Sequence, residues 1–161
     1  MSETTRLADQ IRRAYDGDAW HGDSLYDILL NVNAKQAAAR PIPNAHSIWE
    51  LVNHIAAWDA AIVKRIGGAV LELEGEENFP PLPALTGDAL EDAWRKTVRR
   101  MQETNHDLAA AVANFPDSRL TERVPGKTES YHDFYYTFAG IVQHELYHAG
   151  QIALLKKAQA K

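Results

Sequence analysis

The feature that most restricts the fold is a single long stripe. Phe134, Phe138, Ile141, Glu145, His148, Ile152 and Leu155 recur at helical spacing, with His144 beside them. That period predicts an amphipathic helix from Ser130 to about Lys157, whose apolar face must be buried against a partner. Ser130 is expected as its N-cap, with Asp133 at the third helical position. Lys156, Lys157 and Lys161 complement the negative end of its dipole.

Three further segments supply the partners. The first runs from about Thr4 to Asp16, with Leu7, Ile11 and Ala14 on its apolar side, and stops at Gly17. Shorter pieces follow at Ser24 to Leu30, where Ser24 and Asp27 resemble a capping box, and at Ala34 to Ala37, which Asn33 can cap. The second long helix opens on the box Ser47-x-x-Glu50 after Pro41 and Pro43, and ends at Gly67-Gly68. The third starts near Thr86 to Asp88 and continues to about Ala113, where Asn114 and Pro116 end it. Leu120 to Val124 suits a short extended piece, and nothing calls for a sheet. The expectation is an all-α protein, a four-helix bundle spanning 1–161 as a single domain. Between helices 2 and 3 lies a long connection, Gly67 to Gly87, with Pro80-Pro81-Leu82-Pro83 and acidic residues from Glu72 to Glu77. Those acids read as a solvated face, and the length suffices for a crossover between parallel neighbours.

Composition narrows the partners. The 161 residues are 45% hydrophobic and 24% charged, ordinary values for a globular chain. A net charge of −5 without a basic cluster argues against nucleic acid and against anionic membranes. The N-terminal residues are polar and mixed in charge, unlike a signal peptide, and no apolar run of about 18 residues is present to cross a bilayer. A cytoplasmic location is expected. The chain has no cysteine, so it supplies neither a disulfide nor a thiolate.

The histidines carry the chemistry. His144 and His148 are separated by about 400° of helical rotation and roughly 6 Å of rise, so both rings leave nearly one face and can reach one metal ion. Two core histidines bonded to backbone or carboxylate groups are the alternative. His54 lies among Leu51, Ile55 and Trp58 on the second long helix. Alone it reads as a structural histidine; facing the pair, it completes three nitrogen ligands and leaves an open coordination position. His144-Glu145-Leu146-Tyr147-His148 also matches the H-E-x-x-H spacing of zinc proteases. The residues that follow, Ala149 to Lys161, contain no His, Glu or Asp to serve as the downstream ligand. Glu145 is therefore read as an acceptor for an imidazole N–H, or as a general base in other chemistry, with a helix-surface carboxylate as the plain alternative. Gln151 is placed to touch the site, and Trp49, Trp58 and Tyr147 to wall a pocket. His21 reads as a loop residue, and His46, His106 and His132 as residues near helix ends or polar faces.

Ala45 to Ile55 and Gly140 to Ile152, together with Ala19-Trp20-His21-Gly22, resemble the DinB/YfiT-like metalloenzymes. The specific part is the second-helix histidine combined with H-x-x-x-H-x-x-Q. The resemblance implies a four-helix bundle, often a homodimer, holding a divalent ion such as zinc or nickel, with iron a further option, on His54, His144 and His148. Asp is frequent where this chain has Glu145. Some relatives are transferases or isomerases dependent on a small thiol, which implies a thiol and an electrophile as substrates. A metal-dependent hydrolase and a non-enzymatic dimeric scaffold related to stress are the other readings.

Overall fold

A computed structural model describes residues 1–160. Lys161, expected at the end of the last helix, lies outside the described residues. Four long helices form the frame: α1 (Glu3–Tyr15), α4 (Ile48–Ile66), α6 (Gly87–Ala113) and α7 (Phe134–Ala158). Three short ones, α2 (Leu25–Leu29), α3 (Ala34–Ala38) and α5 (Gly75–Asn78), lie in the connections. Among the described residues no strand forms. The expected extended piece at Leu120 to Val124 reduces to a bridge between Arg123 and Asp133, preceded by a 3-10 turn at Asp117–Arg119.

Local chemistry sets the ends of these helices. At the start of α4 the Ser47 N–H donates to Glu50 Oε2 at 2.8 Å while Glu50 N–H donates to Ser47 Oγ at 3.2 Å, a reciprocal box that satisfies two otherwise orphaned donors. The same exchange caps α2 through Ser24 and Asp27, and α3 through Asn33 and Gln36. α4 stops in a Schellman turn: Gly68 takes φ 94°, and Ala69 N–H reaches back to Lys64 O at 3.0 Å. α7 corrects the sequence reading. Its N-cap is Asp133, whose carboxylate accepts from Tyr136 N–H at 2.7 Å, not Ser130. The N–H groups of Phe134 and Tyr135 are engaged by the carbonyls of Glu122 and Leu120, so they do not turn back to the carbonyls of residues 130 and 131 and the helix begins later.

The four long helices meet in the ring order α1–α6–α4–α7. Trp49, early in α4, donates through Nε1 to Thr97, early in α6, at 3.0 Å, and Asp59, further along α4, lies beside Asn105, further along α6. α4 and α6 are therefore parallel neighbours, and the long connection is a crossover. α1 runs opposite to α6: Thr4 Oγ1 donates to Asp117 at 2.8 Å just past the end of α6, while Tyr15 packs edge-on to His106. α7 also opposes α6, with Phe134 near its end against Phe115 and Glu145 against Asn105.

The core is split. One apolar cluster holds Trp49, Ile55, Trp94, Met101, Ile152 and Leu155; the other holds Ile11, Ile62, Leu108, Phe115, Phe134 and Phe138. Each large side chain buried in them contributes about 1.5–3 kcal/mol. Between the clusters every long helix places a polar residue or a phenol: Tyr15, Asp59, Asn105 and Glu145, none with exposed surface. A polar layer thus crosses the bundle at mid-height, and the three-histidine site adjoins it.

Candidate metal centre

His54 is set on α4, and His144 and His148 on successive turns of the antiparallel α7. Their Nε2 atoms converge: His54 to His144 is 2.8 Å and His148 to His144 is 3.2 Å. Each ring offers a ligand atom within 4.8 Å of the other two. The sequence-derived trio is brought together as expected.

The rings are oriented from behind. His54 Nδ1–H donates to the Asn78 carbonyl at 2.8 Å, which fixes the tautomer and turns the Nε2 lone pair inward. His148 Nδ1–H donates to Gln151 Oε1 at 2.7 Å, with the same result. Two bare lone pairs facing a third ring at these separations repel unless a cation or a proton sits among them. Burial lowers the pKa of all three rings. It is opposed at His54 by the Asn78 carbonyl and at His148 by Gln151, and reinforced at His144 by its two neighbours, which take it to about 3. The neutral imidazole is the form that ligates a metal. A tetrahedral ion about 2.0–2.1 Å from each nitrogen spaces them roughly 3.3 Å apart, so the residues fit such an ion with a small opening of the His54–His144 pair.

The connection after α4, read from sequence as a bare link, supplies part of the site. Asn78 holds His54 through its carbonyl and accepts from Trp58 Nε1 through its side chain at 2.9 Å. Phe79 is sandwiched: His54 stacks on one face at 4.2 Å and His46 on the other at 3.9 Å. His46 lies just before α4, near a helix end as read from the sequence, and through Phe79 it also belongs to the surroundings of the centre. Glycine- and proline-rich spacing gives no signal for this; a polar Asn followed by an aromatic residue within an otherwise exposed stretch was the only clue. Of the expected wall residues, Trp58 is in place, 6.0 Å from the His144 ring, and Tyr147 packs against His148 while 65% exposed. Trp49 is instead buried against Trp94. His21 and its neighbour Trp20 are exposed. His106 pairs with Asp16, and His132 faces Glu129.

Glu145 does not accept from an imidazole. Its Oε1 accepts from Asn105 Nδ2 at 2.9 Å, and His144 Nδ1 has no hydrogen-bond partner among the described residues. The helix turns Glu145 into the polar layer, beside Asp59. Burial drives both carboxyls upward, Asp59 to about 8; Asp59 raises Glu145 further, while hydrogen bonds from Asn105 and Glu145 pull Asp59 partly back down. Near neutral pH the pair keeps at least one proton. The buried Asp59 oxygens and Glu145 Oε2 lack a formal donor among the described residues; a carboxyl proton between the two side chains would join Oε2 to one of the Asp59 oxygens. The protease-like spacing therefore has its two histidines at the centre and its glutamate in the core.

Fold and site together define a helical bundle with a three-imidazole pocket. The DinB superfamily model matches residues 19–152, and the chain belongs to that family. No curated protein and no solved structure matches it.

Proposed function

We propose that this chain binds one divalent ion, zinc or nickel before iron, on His54, His144 and His148, and uses it to transfer a low-molecular-weight thiol onto a small electrophile. The observation that carries the reading is the convergence of three imidazoles, two buried and His144 half-buried, with the lone pairs of His54 and His148 turned inward by Asn78 and Gln151. Bound there, the ion supplies a Lewis-acidic open position at which a thiol ionises near neutral pH. The chain's own residues do the rest. His54 and His148 are held in one tautomer, Trp58 and Phe79 cover the rings, and the absence of cysteine leaves the nucleophile to a cosubstrate. In the transfer a carbon–sulfur bond forms, the bond to the leaving group breaks with its electron pair, and the thiol proton passes to solvent.

The test uses cobalt-loaded protein titrated separately with bacillithiol, mycothiol and glutathione. A sulfur-to-cobalt charge-transfer band from one of them, with consumption of an epoxide or haloarene, is expected; His148→Ala removes both. If none of the three perturbs the spectrum at millimolar concentration and none is consumed, the transferase reading gives way to metal-activated water acting on a small substrate, or to a scaffold.

A further inference from the structure

One acid of the connection after α4 is engaged rather than merely solvated. Glu72, expected to share an exposed face with the acids up to Glu77, turns its carboxylate back onto the body of the protein. Lys127 Nζ donates to its Oε1 at 2.6 Å, and Arg65 Nη2 approaches its Oε2 at 3.4 Å. Arg65 Nη2 also donates to the Leu71 carbonyl at 3.0 Å. The partners are remote in sequence. Arg65 lies in the last turn of α4. Lys127 is presented by a turn in which Pro125 and Gly126, at φ 84°, bring Lys127 N–H back to the Val124 carbonyl at 3.1 Å. Val70 presses on that turn, since a Cβ at Gly126 would come within 2.7 Å of Val70 Cγ1. His132 closes the loop by accepting from Val124 N–H at 3.0 Å through its carbonyl.

The pocket is cationic and under-filled. The Arg65 side chain is 6% exposed, while the Glu72 side chain opposite it is 52% exposed. A buried guanidinium is costly unless its donors are paired. The Arg65–Glu72 separation of 3.4 Å exceeds the about 2.7–2.9 Å of a charge-assisted N–H···O bond. Arg65 Nε is buried and has no hydrogen-bond partner among the described residues. His132 Nδ1 is likewise buried and unpartnered, with Glu129 Oε2 3.5 Å away. The Lys127 hydrogen bond, followed by the charges of Lys127, Arg65 and His132, holds the Glu72 carboxyl below the usual carboxylate range against the opposing effect of burial. A single carboxylate therefore answers two fixed cations and an imidazole.

We propose that Arg65, Lys127 and His132 form an oxyanion site whose resident is Glu72, a tethered carboxylate that a free oxyanion displaces. Two fixed positive charges favour a doubly charged guest of phosphate type over a monocarboxylate, and the unused Arg65 donors supply the fork that such a guest accepts from. The negative pole of α4, one residue beyond Arg65, opposes an anion by less than one charge-assisted hydrogen bond contributes. Arg65 lies over the Trp58 ring at 5.3 Å, and that ring is 6.0 Å from His144, so one indole stands between this site and the three imidazoles. The assignment does not depend on the thiol-transfer reading.

The experiment follows the Arg65 Nε–H signal by proton–nitrogen NMR of the zinc-loaded protein near neutral pH. Inorganic phosphate is the probe and acetate the singly charged control. Reading the signal at Arg65 keeps phosphate held by the ion at the three histidines out of the measurement. Glu72→Gln, at a half-exposed position, removes the tethered competitor. In that variant phosphate should give saturable shifts, at least about tenfold tighter than in the parent and at least about tenfold tighter than acetate. Adding Lys127→Met to Glu72→Gln weakens phosphate at least about tenfold with helicity and zinc content unchanged. Lys127→Gln produces the same loss and serves if the methionine variant does not fold. No saturable shift in Glu72→Gln, equal affinity in the parent, equal affinity for acetate, or undiminished binding in the folded lysine variants overturns the proposal.

Discussion

Two polar clusters sit in one core and are built largely by the same helices. α4 gives His54 to one and Asp59 to the other; α7 gives His144 and His148 to one and Glu145 to the other. Burial acts on both in the same way, by disfavouring charge, and the chemical results are opposite. An imidazole kept neutral is a ready metal ligand, whereas a carboxyl kept neutral is a poor one. The histidines are also braced from outside the cluster, by Asn78 and Gln151, while the acids lean on Asn105 and on each other. Adjacent residues in the chain, His144 and Glu145, thus enter different chemistry because about 100° of helical rotation separates them.

Substitutions should break this division of labour unequally. The largest effect is on metal. We expect about one divalent ion per chain, lost in His148→Ala and weakened in His54→Ala, whereas Asp59→Asn leaves the metal content alone; elemental analysis after dialysis measures this. Full retention in the variant with all three histidines replaced by alanine would falsify the assignment.

The next effect concerns pH and the metal-free protein. Asp59 is raised to about 8 in the folded state, so between its ordinary carboxylate range and pH 8 the native pair holds protons that the unfolded chain releases. Stability therefore falls as pH rises through that window. The imidazoles are lowered, so their contribution tilts the other way and is lost as pH falls below their ordinary value of 6.5 toward the lowered ones. From pH 6.5 to 8 the acid pair acts without that opposition, at about 1.4 kcal/mol per pH unit for each proton the folded chain retains. Urea melts of Asp59→Asn should show a shallower slope, the remainder coming from Glu145, which its own burial still raises. If the variant and the parent lose stability in parallel above pH 6.5, the pair does not share a proton as described.

The smallest effect is at the start of α7. Asp133→Ala should cost about 1 kcal/mol, and Ser130→Ala no more than about 0.5 kcal/mol, in the same melts. The reverse ranking would restore the cap inferred from sequence.

Much of this was legible in the sequence because it rests on local rules. The Ser47–Glu50 box, the Gly67-Gly68 stop and the i, i+4 histidine pair depend only on near neighbours, and each appears where the pattern placed it. Gln151 was visible for the same reason, three residues from His148. What was hidden is non-local. Asp133 displaces Ser130 as cap because the carbonyls of Glu122 and Leu120 take the N–H groups of Phe134 and Tyr135, which an earlier helix start would turn back to residues 130 and 131. The Asp59–Glu145 pair joins residues on different helices that carry no shared motif. Asn78 and Phe79 reach His54 only because the crossover folds back over α4.

That fold-back has a consequence for how the molecule reports on itself. The segment from Gly68 to Thr86 is fastened to His54 by the Asn78 carbonyl and to Trp58 by the Asn78 amide. Whatever immobilises the His54 ring also quiets this segment, and by thermodynamic reciprocity pinning the segment would tighten, by the same factor, the hold on an ion bound as proposed at the three histidines. Proteolytic nicking between Gly75 and Phe79 becomes a gauge of occupancy, and an antibody or partner gripping the strap from outside becomes an effector of a centre it never touches.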